Sequence, residues 1–205
     1  MISLGGIMPV ICVANSKGGT GKTTVSLNLI HHLNPDFIID LDIHKGLSDL
    51  NRLGGQLVIH RTRDKSELLD WLQDDEKLIF VDTGGFDSTL NRTVLGQSDF
   101  ILTPTCDDPS DQMRLLGFDE TLAAVSEEVN EHLIAHVLLN RVHHSRRSFE
   151  DFDELIGSLK HMTRLHNVIS QSASLPKAAF KGEAVKSGTI AADFSNLAKE
   201  IKKKL

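Results

Sequence analysis

The chain has 205 residues, enough for one full hydrophobic core and too few for two large domains. Apolar residues make up 40% and charged residues 24%, the balance of a globular chain rather than a fibrous or disordered one. A net charge of -6 argues against a general nucleic-acid coat protein, no apolar run approaches the roughly 18 residues that span a bilayer, and two cysteines do not make a disulfide framework. The cysteine usage points to a cytoplasmic setting.

Met1 to Met8 has neither the basic region nor the long apolar core of a secretory signal and is expected to be a loose N-terminal extension. The first predicted strand is Val10-Ile11-Cys12-Val13-Ala14. It runs into Ser16-Lys17-Gly18-Gly19-Thr20-Gly21-Lys22-Thr23-Thr24, and a helical segment follows from Val25 to Leu33. Strand, glycine-rich turn and helix form the context of a phosphate-binding P-loop. A triphosphate needs many N–H donors close around it. Gly18, Gly19 and Gly21 let the backbone approach, and the helix start aims free N–H groups and its dipole at the anion. Lys22 is expected on the β- and γ-phosphates, the Thr23 hydroxyl on Mg²⁺ and Thr24 at the α-phosphate.

The remaining chain alternates short apolar runs with helical patterns, the signature of a parallel α/β sheet. Strands are expected at Phe37-Ile39, Leu57-Ile59, Leu78-Val81, Phe100-Leu102, Ile134-Leu139 and Val168-Ile169. Helices are expected at Ser66 to Gln73, Gln112 to Val129 and Phe149 to Leu159. The second strand ends in Asp40-Leu41-Asp42 and the Leu78 strand in Asp82-Thr83-Gly84-Gly85. Both put carboxylates at the strand ends, where ligands bind in open parallel sheets. A turn or helix-capping aspartate is the competing reading of Asp40 and Asp42.

The histidine pairs His31-His32 and His143-His144 lack metal-ligand spacing and read as solvent-exposed. From Lys177 onward seven lysines face three acidic residues, so this end is +4 and the first 176 residues are -10. Phe194, Leu197, Ala198, Ile201 and Leu205 form a helical stripe beside Lys199 and Lys202 to Lys204. Such a helix closes the core with solvated lysines, lies on a membrane, or faces DNA phosphates.

Ser16 stands where an ordinary P-loop has its first glycine, and Lys17 follows it. This pattern resembles the deviant Walker A motif, KGGxGK[ST], of the ParA/MinD ATPases. The resemblance runs from the first strand to the last helix and implies an α/β fold: a single-domain P-loop NTPase over 1–205, with a mostly parallel sheet and helices on both faces. It implies ATP and Mg²⁺ as cofactors, with Gly18, Gly19, Thr20, Gly21, Lys22, Thr23, Thr24 and Gly84 around the nucleotide. Lys17 would reach the nucleotide of the partner subunit in an ATP-dependent homodimer. Asp42 would position or activate water, Asp40 would act nearer Mg²⁺ or orient its loop, and Asp82 would be the Walker B residue, holding Mg²⁺ through water. Asn140, in Leu138-Leu139-Asn140-Arg141, would read adenine. The stretch Ser172 to Val185, with Pro176, Ala179, Gly182 and Val185, resembles the family's loop near the base, and Pro104 to Pro109 its dimer-facing segment.

ParA proteins commonly follow the two aspartates with Pro-Gln-Gly-Asn. This chain has Ile43-His44-Lys45-Gly46, with an isoleucine as in MinD-like proteins. The resemblance implies a slow, partner-stimulated ATPase that partitions cargo, plasmid DNA foremost, with a centromere-binding or adaptor protein. Nonspecific DNA would meet Lys177, Lys181 and Lys186, and the protein would be cytoplasmic and nucleoid-associated. A MinD-like membrane-cycling ATPase is the alternative. An iron–sulfur reductase on the same fold is disfavoured, since Cys12 lies within a strand.

Overall fold

The computed structural model describes residues 9–16, 18–85 and 88–205. Lys17 and the extension at 1–8 therefore lie outside the described residues. The elements run β1 (Val10–Val13), α1 (Lys22–Leu33), β2 (Phe37–Asp40), α2 (Gly46–Arg52), α3 (Lys65–Leu72), β3 (Ile79–Asp82), α4 (Thr89–Gly96) and β4 (Phe100–Cys106). They continue as α5 (Pro109–Gln112), α6 (Arg114–Val129), β5 (Ala135–Val142), α7 (Glu150–Gly157), β6 (Met162–Arg164), β7 (Ile169–Ser170), α8 (Ser174–Ala179) and α9 (Gly188–Lys204).

The strands form one sheet in the order β2-β3-β1-β4-β5-β6, with β7 also paired to β5, and every pairing between them is parallel. The strands are short apolar runs because a parallel sheet is covered on both faces. In β1 all four residues are buried, and they alternate between two cores. Val10 and Cys12 pack with Leu68, Val94, Leu122 and Phe152, from α3, α4, α6 and α7. Ile11 and Val13 pack with Leu29, Leu47, Leu175 and Phe194, from α1, α2, α8 and α9. Register places Val13 opposite Asp82, and Asp82 opposite Asp40. The P-loop and both aspartate-ended strands therefore open on one edge of the sheet.

Two sequence expectations are corrected. Leu57-Ile59 is not a strand, although His60 bridges to β2 through a single residue, Ile39. The Asn51 side chain takes over the backbone of Leu57, donating to its carbonyl at 2.8 Å and accepting its N–H at 3.1 Å. A ladder partner has nothing left to bond there, and Val58 is 72% exposed. The helix expected from Gln112 to Val129 is α6, beginning two residues later at Arg114, and Gln112 instead ends the separate short α5 before Met113. Asp108 caps α5 by accepting the Ser110 N–H at 2.9 Å.

The histidine reading also needs refinement. His31, His143 and His144 are exposed, but His32 is half-buried and burial lowers its pKa. The sequence did not point to α2, α4, α8 or β6. The apolar stripe of α9 is spent on the core as far as Ile201: Phe194, Leu197, Ala198 and Ile201 are all buried, while Leu205, at the C-cap, is exposed together with Lys199 and Lys202 to Lys204. Among the described residues no helix is long and apolar enough to cross a membrane.

Phe194 is 0% exposed at the centre of the α1–α9 core. Phe194→Ala should destabilise the fold by about 3–5 kcal/mol. Urea denaturation followed by circular dichroism would measure this as a lower midpoint at unchanged slope.

Candidate functional site

The glycines of the P-loop take the backbone through conformations that side chains resist. Gly19 has φ 89° and Gly21 φ 90°. Gly21 is the N-cap of α1, and its carbonyl accepts the Val25 N–H at 2.9 Å as the helix begins. The first-turn N–H groups of a helix have no intrahelical acceptor and are left for an anion. Gly21 also admits no side chain. A methyl group there would stand 2.4 Å from Asn140 Nδ2.

Lys22 is buried at the first position of α1. Burial lowers its pKa, and the nearby charges of Asp82 and then Asp42 act in the opposite direction. Asp82 is fully buried at the end of β3. Its Oδ1 accepts the Ser26 hydroxyl at 2.7 Å, while Oδ2 is buried with no hydrogen-bond partner. Burial pushes the Asp82 carboxyl up from 3.8 to about 7, against the Ser26 hydrogen bond. Asp40 lies beside it in register and adds to the rise, Lys22 opposes it, and Asp42 adds again.

Asp40 is equally buried, but its valences are filled. Oδ2 pairs with Arg61 Nη1 at 2.8 Å and accepts the Ser48 hydroxyl at 2.5 Å and the Ser48 N–H at 2.9 Å. Oδ1 accepts the Asp42 N–H at 3.0 Å. Arg61 Nη2 donates to the Asp42 carbonyl at 2.8 Å. Of the two roles open to Asp40 in the sequence, the geometry gives it the second: it orients the loop that presents Asp42. That loop turns tightly into α2, with Lys45 at φ 57°. Gly46 is packed against the site, since a methyl group there would stand 2.9 Å from Thr23 Oγ1 and 3.5 Å from Asp42 Oδ2.

These residues surround an open cavity of about 420 Å³, lined by Gly18, Gly19, Gly21, Lys22, Thr23, Thr24, Asp42, His44, Gly85 and Arg141. A second cavity of about 350 Å³ lies beside it, lined by Asn140, Gln171, Ser172, Leu175 and Pro176 among others. Thr24 and Arg141 line both, so the two form one cleft with a polar end and a mixed end. Its size and division suit the phosphates and the nucleoside of a nucleotide. Hard oxygen donors suit Mg²⁺, and the unpartnered Asp82 Oδ2 and the Thr23 hydroxyl fit such an ion together with phosphate and water oxygens.

Several sequence-predicted residues meet here: Gly18, Gly19, Gly21, Lys22, Thr23, Thr24 and Asp42 line the cleft, and Asp82 lies beneath it. Thr20 is buried with its Oγ1 unpartnered, and its carbonyl accepts Asn140 Nδ2 at 3.0 Å. Asn140 is thus a brace of the P-loop, and its Oδ1 accepts the Arg141 N–H at 3.0 Å. Gly84 is buried and does not line the cleft; it lines a separate small cavity with Ser16 and Asn91, and its neighbour Gly85 supplies the cleft lining.

Pro176 lines the nucleoside end, whereas Gly182 and Val185 anchor their loop elsewhere, Val185 by donating to Asn28 Oδ1 at 2.8 Å. Lys177, Lys181 and Lys186 are exposed outside the cleft, and Lys186 pairs with Glu183 at 3.1 Å. Sequence reasoning missed Ser26, Ser48, Arg61 and Arg141. Ser26 carried a signal, lying one helical turn after Lys22, but the partners of Asp40 come from later elements with no local pattern.

The CobQ/CobB/MinD/ParA nucleotide binding domain matches residues 11–185. The chain belongs to this family. No curated protein matches it by sequence. Among solved structures, a plasmid partition protein of Borrelia burgdorferi bound to AMPPNP is 14% identical, with a TM-score of 0.63 over 97% of this chain and 100% of that one. Cyanothece McdA in a complex with ATP is 12% identical, with a TM-score of 0.71 over 95% and 96%. The septum site-determining protein MinD of Pyrococcus horikoshii, complexed with Mg-ADP, is 15% identical, with a TM-score of 0.67 over 96% and 97%. At these identities the likeness establishes the fold: a single α/β ParA/MinD-type P-loop domain.

Asp82 carries a pH prediction. Its folded pKa is raised above the unfolded value, so its contribution to stability is present below about pH 4 and is lost as pH rises through about 7. Without nucleotide and metal, Asp82→Asn should be relatively more stable than the parent at pH 8 than at pH 5. Thermal unfolding at the two pH values checks this, and parallel curves for the two proteins would contradict it.

Proposed function

We propose that this protein is a Mg²⁺-dependent ATPase that dimerises with ATP and uses the cycle to position or partition cargo, plasmid DNA foremost. One observation carries the catalytic part: Lys22, Thr23 and Asp42 face one polar cavity, with the Asp82 carboxylate beneath it, its Oδ1 held by Ser26 and its Oδ2 unpartnered. Lys22 and the α1 N-terminus hold the phosphates. The Thr23 hydroxyl and Asp82 would hold the metal, which when bound neutralises the β- and γ-phosphate oxygens.

Asp42, set by Asp40 and Arg61, orients the attacking water and accepts its proton. The new oxygen–phosphorus bond forms as the β,γ-bridging bond breaks, leaving ADP and phosphate. Lys17 is taken as the cation that each subunit lends to its partner's nucleotide. In this reading hydrolysis is slow, serves as a timer, and is stimulated by a centromere-binding or adaptor protein. Support for partition over other cargo comes from the Borrelia plasmid partition protein among the similar folds.

Lys22→Ala should weaken nucleotide binding by roughly a hundredfold or more, because the phosphates lose their central cation. Asp42→Ala should keep ATP affinity and lose turnover by roughly 10²–10⁴. Calorimetric titration and phosphate-release assays check the pair, and an Asp42→Ala protein that turns over at the parent's rate would remove the assigned role.

For the cargo, the ATP-bound dimer is expected to bind nonspecific DNA through Lys177, Lys181 and Lys186, because pairing two subunits doubles the lysine patch. Binding should weaken steeply as salt rises. Glutamate at the three positions should reduce co-sedimentation with DNA at least tenfold while ATP hydrolysis continues. ATP-dependent binding to liposomes without DNA retention would instead select the MinD-like membrane-cycling alternative.

A further inference from the structure

Arg141 breaks the rules of the strand that carries it. It is in β5, yet its φ is 57°, the left-handed region that non-glycine residues avoid. The pairing with β7 slips at this point: Asn140 is opposite Ile169 and Val142 opposite Ser170, so two steps on β5 meet one step on β7. Arg141 is the extra residue of a β-bulge.

The bulge has a consequence for the sheet faces. Val137 and Leu139 pack in the core under α6 and α7, and Leu138 packs in the opposite core. Strict alternation would send Val142 to the Leu138 side, but Val142 packs with Val137 and Leu139. Inserting one residue restores Val142 to its core and releases Arg141 from the pleat.

The released side chain lies over the cleft. Arg141 Nη2 stands 3.8 Å from where a methyl group on Gly21 would be, and Nη1 is 4.0 Å from Cys106 Sγ. It lines both the phosphate cavity and the nucleoside cavity, which otherwise share only Thr24. Among the described residues no carboxylate pairs with it, in contrast to Arg52, Arg61, Arg92, Arg146 and Arg164. A strained backbone that places an unneutralised guanidinium at the junction of two ligand cavities points to a ligand group there.

We infer that Arg141 is a nucleotide-binding residue that closes the cleft over the α-phosphate and ribose, the part of the ligand common to ADP and ATP. This rests on the nucleotide reading of the cleft and adds to it a contact that does not depend on the γ-phosphate. Arg141 would then set affinity for both nucleotides without taking part in the hydrolytic step. Two Nη donors and a fixed planar charge suit an α-phosphate oxygen, and lengthening the site by one bulged residue is what brings them there.

The test is calorimetric titration of the full chain with Mg-ADP and with a non-hydrolysable Mg-ATP analogue, for the parent, Arg141→Ala and Arg141→Gly. Both variants should lose affinity for both ligands by the same factor, roughly tenfold or more. Arg141→Gly should also unfold at a temperature no lower than the parent, since glycine adopts the bulge conformation freely. A merely structural role for Arg141 predicts unchanged affinity in every variant that folds. Unchanged affinity, or a loss confined to the triphosphate, would overturn the inference. A parent protein that binds neither ligand would overturn the nucleotide reading itself and this inference with it.

Discussion

Two carboxylates, Asp40 and Asp82, are buried side by side at one edge of a parallel sheet, and the architecture of the site follows from how each is satisfied. Burying one ionised carboxylate is costly, and burying two adjacent ones is worse. The fold resolves Asp40 completely, with Arg61, both donors of Ser48 and the Asp42 N–H. It resolves Asp82 only in part, with Ser26 on one oxygen. The pKa of about 7 at Asp82 is the sign of the remaining deficit, and Lys22 alone does not cancel it. A divalent cation beside the P-loop is the group that would.

The neutralised partner has the complementary task. Asp40 ties β2 to the loop after it and, through Arg61, to the chain beyond α2. That network holds Asp42 at the mouth of the phosphate cavity without consuming its carboxylate oxygens, apart from one bond to the His44 N–H. The ion pair of buried Asp40 thus positions a half-buried carboxylate. In the proposed cycle the loop from Asp42 to Gly46 would respond to a γ-phosphate while its root stays fixed, as a nucleotide switch requires.

The glycine-rich turn was legible because its chemistry is local: the spacing of Gly18, Gly19, Gly21 and Lys22 dictates a phosphate cradle wherever a strand precedes and a helix follows. Strands β1 to β5 were legible because buried parallel strands are continuous apolar runs. What escaped was set by tertiary contact. Leu57-Ile59 has the composition of a strand, but the carboxamide of Asn51, six residues earlier, takes its backbone bonds. The apolar stripe of α9 could serve a core, a membrane or DNA by pattern alone, and only its packing against α1 shows that the core uses it. Arg61 and Arg141 had no sequence signal, because one is defined by a partner twenty-one residues away and the other by a bulge.

The central claim is that the unmet valence of Asp82 is a demand for Mg²⁺ at a nucleotide site. The most direct measurement is ADP affinity with Mg²⁺ and with a chelator, for the parent and for Asp82→Asn. The account predicts that Mg²⁺ strengthens ADP binding to the parent, and that Asp82→Asn loses most of this gain while its metal-free affinity stays close to the parent's. Equal affinities with and without Mg²⁺ in the parent, or the same Mg²⁺ enhancement in both proteins, would contradict it.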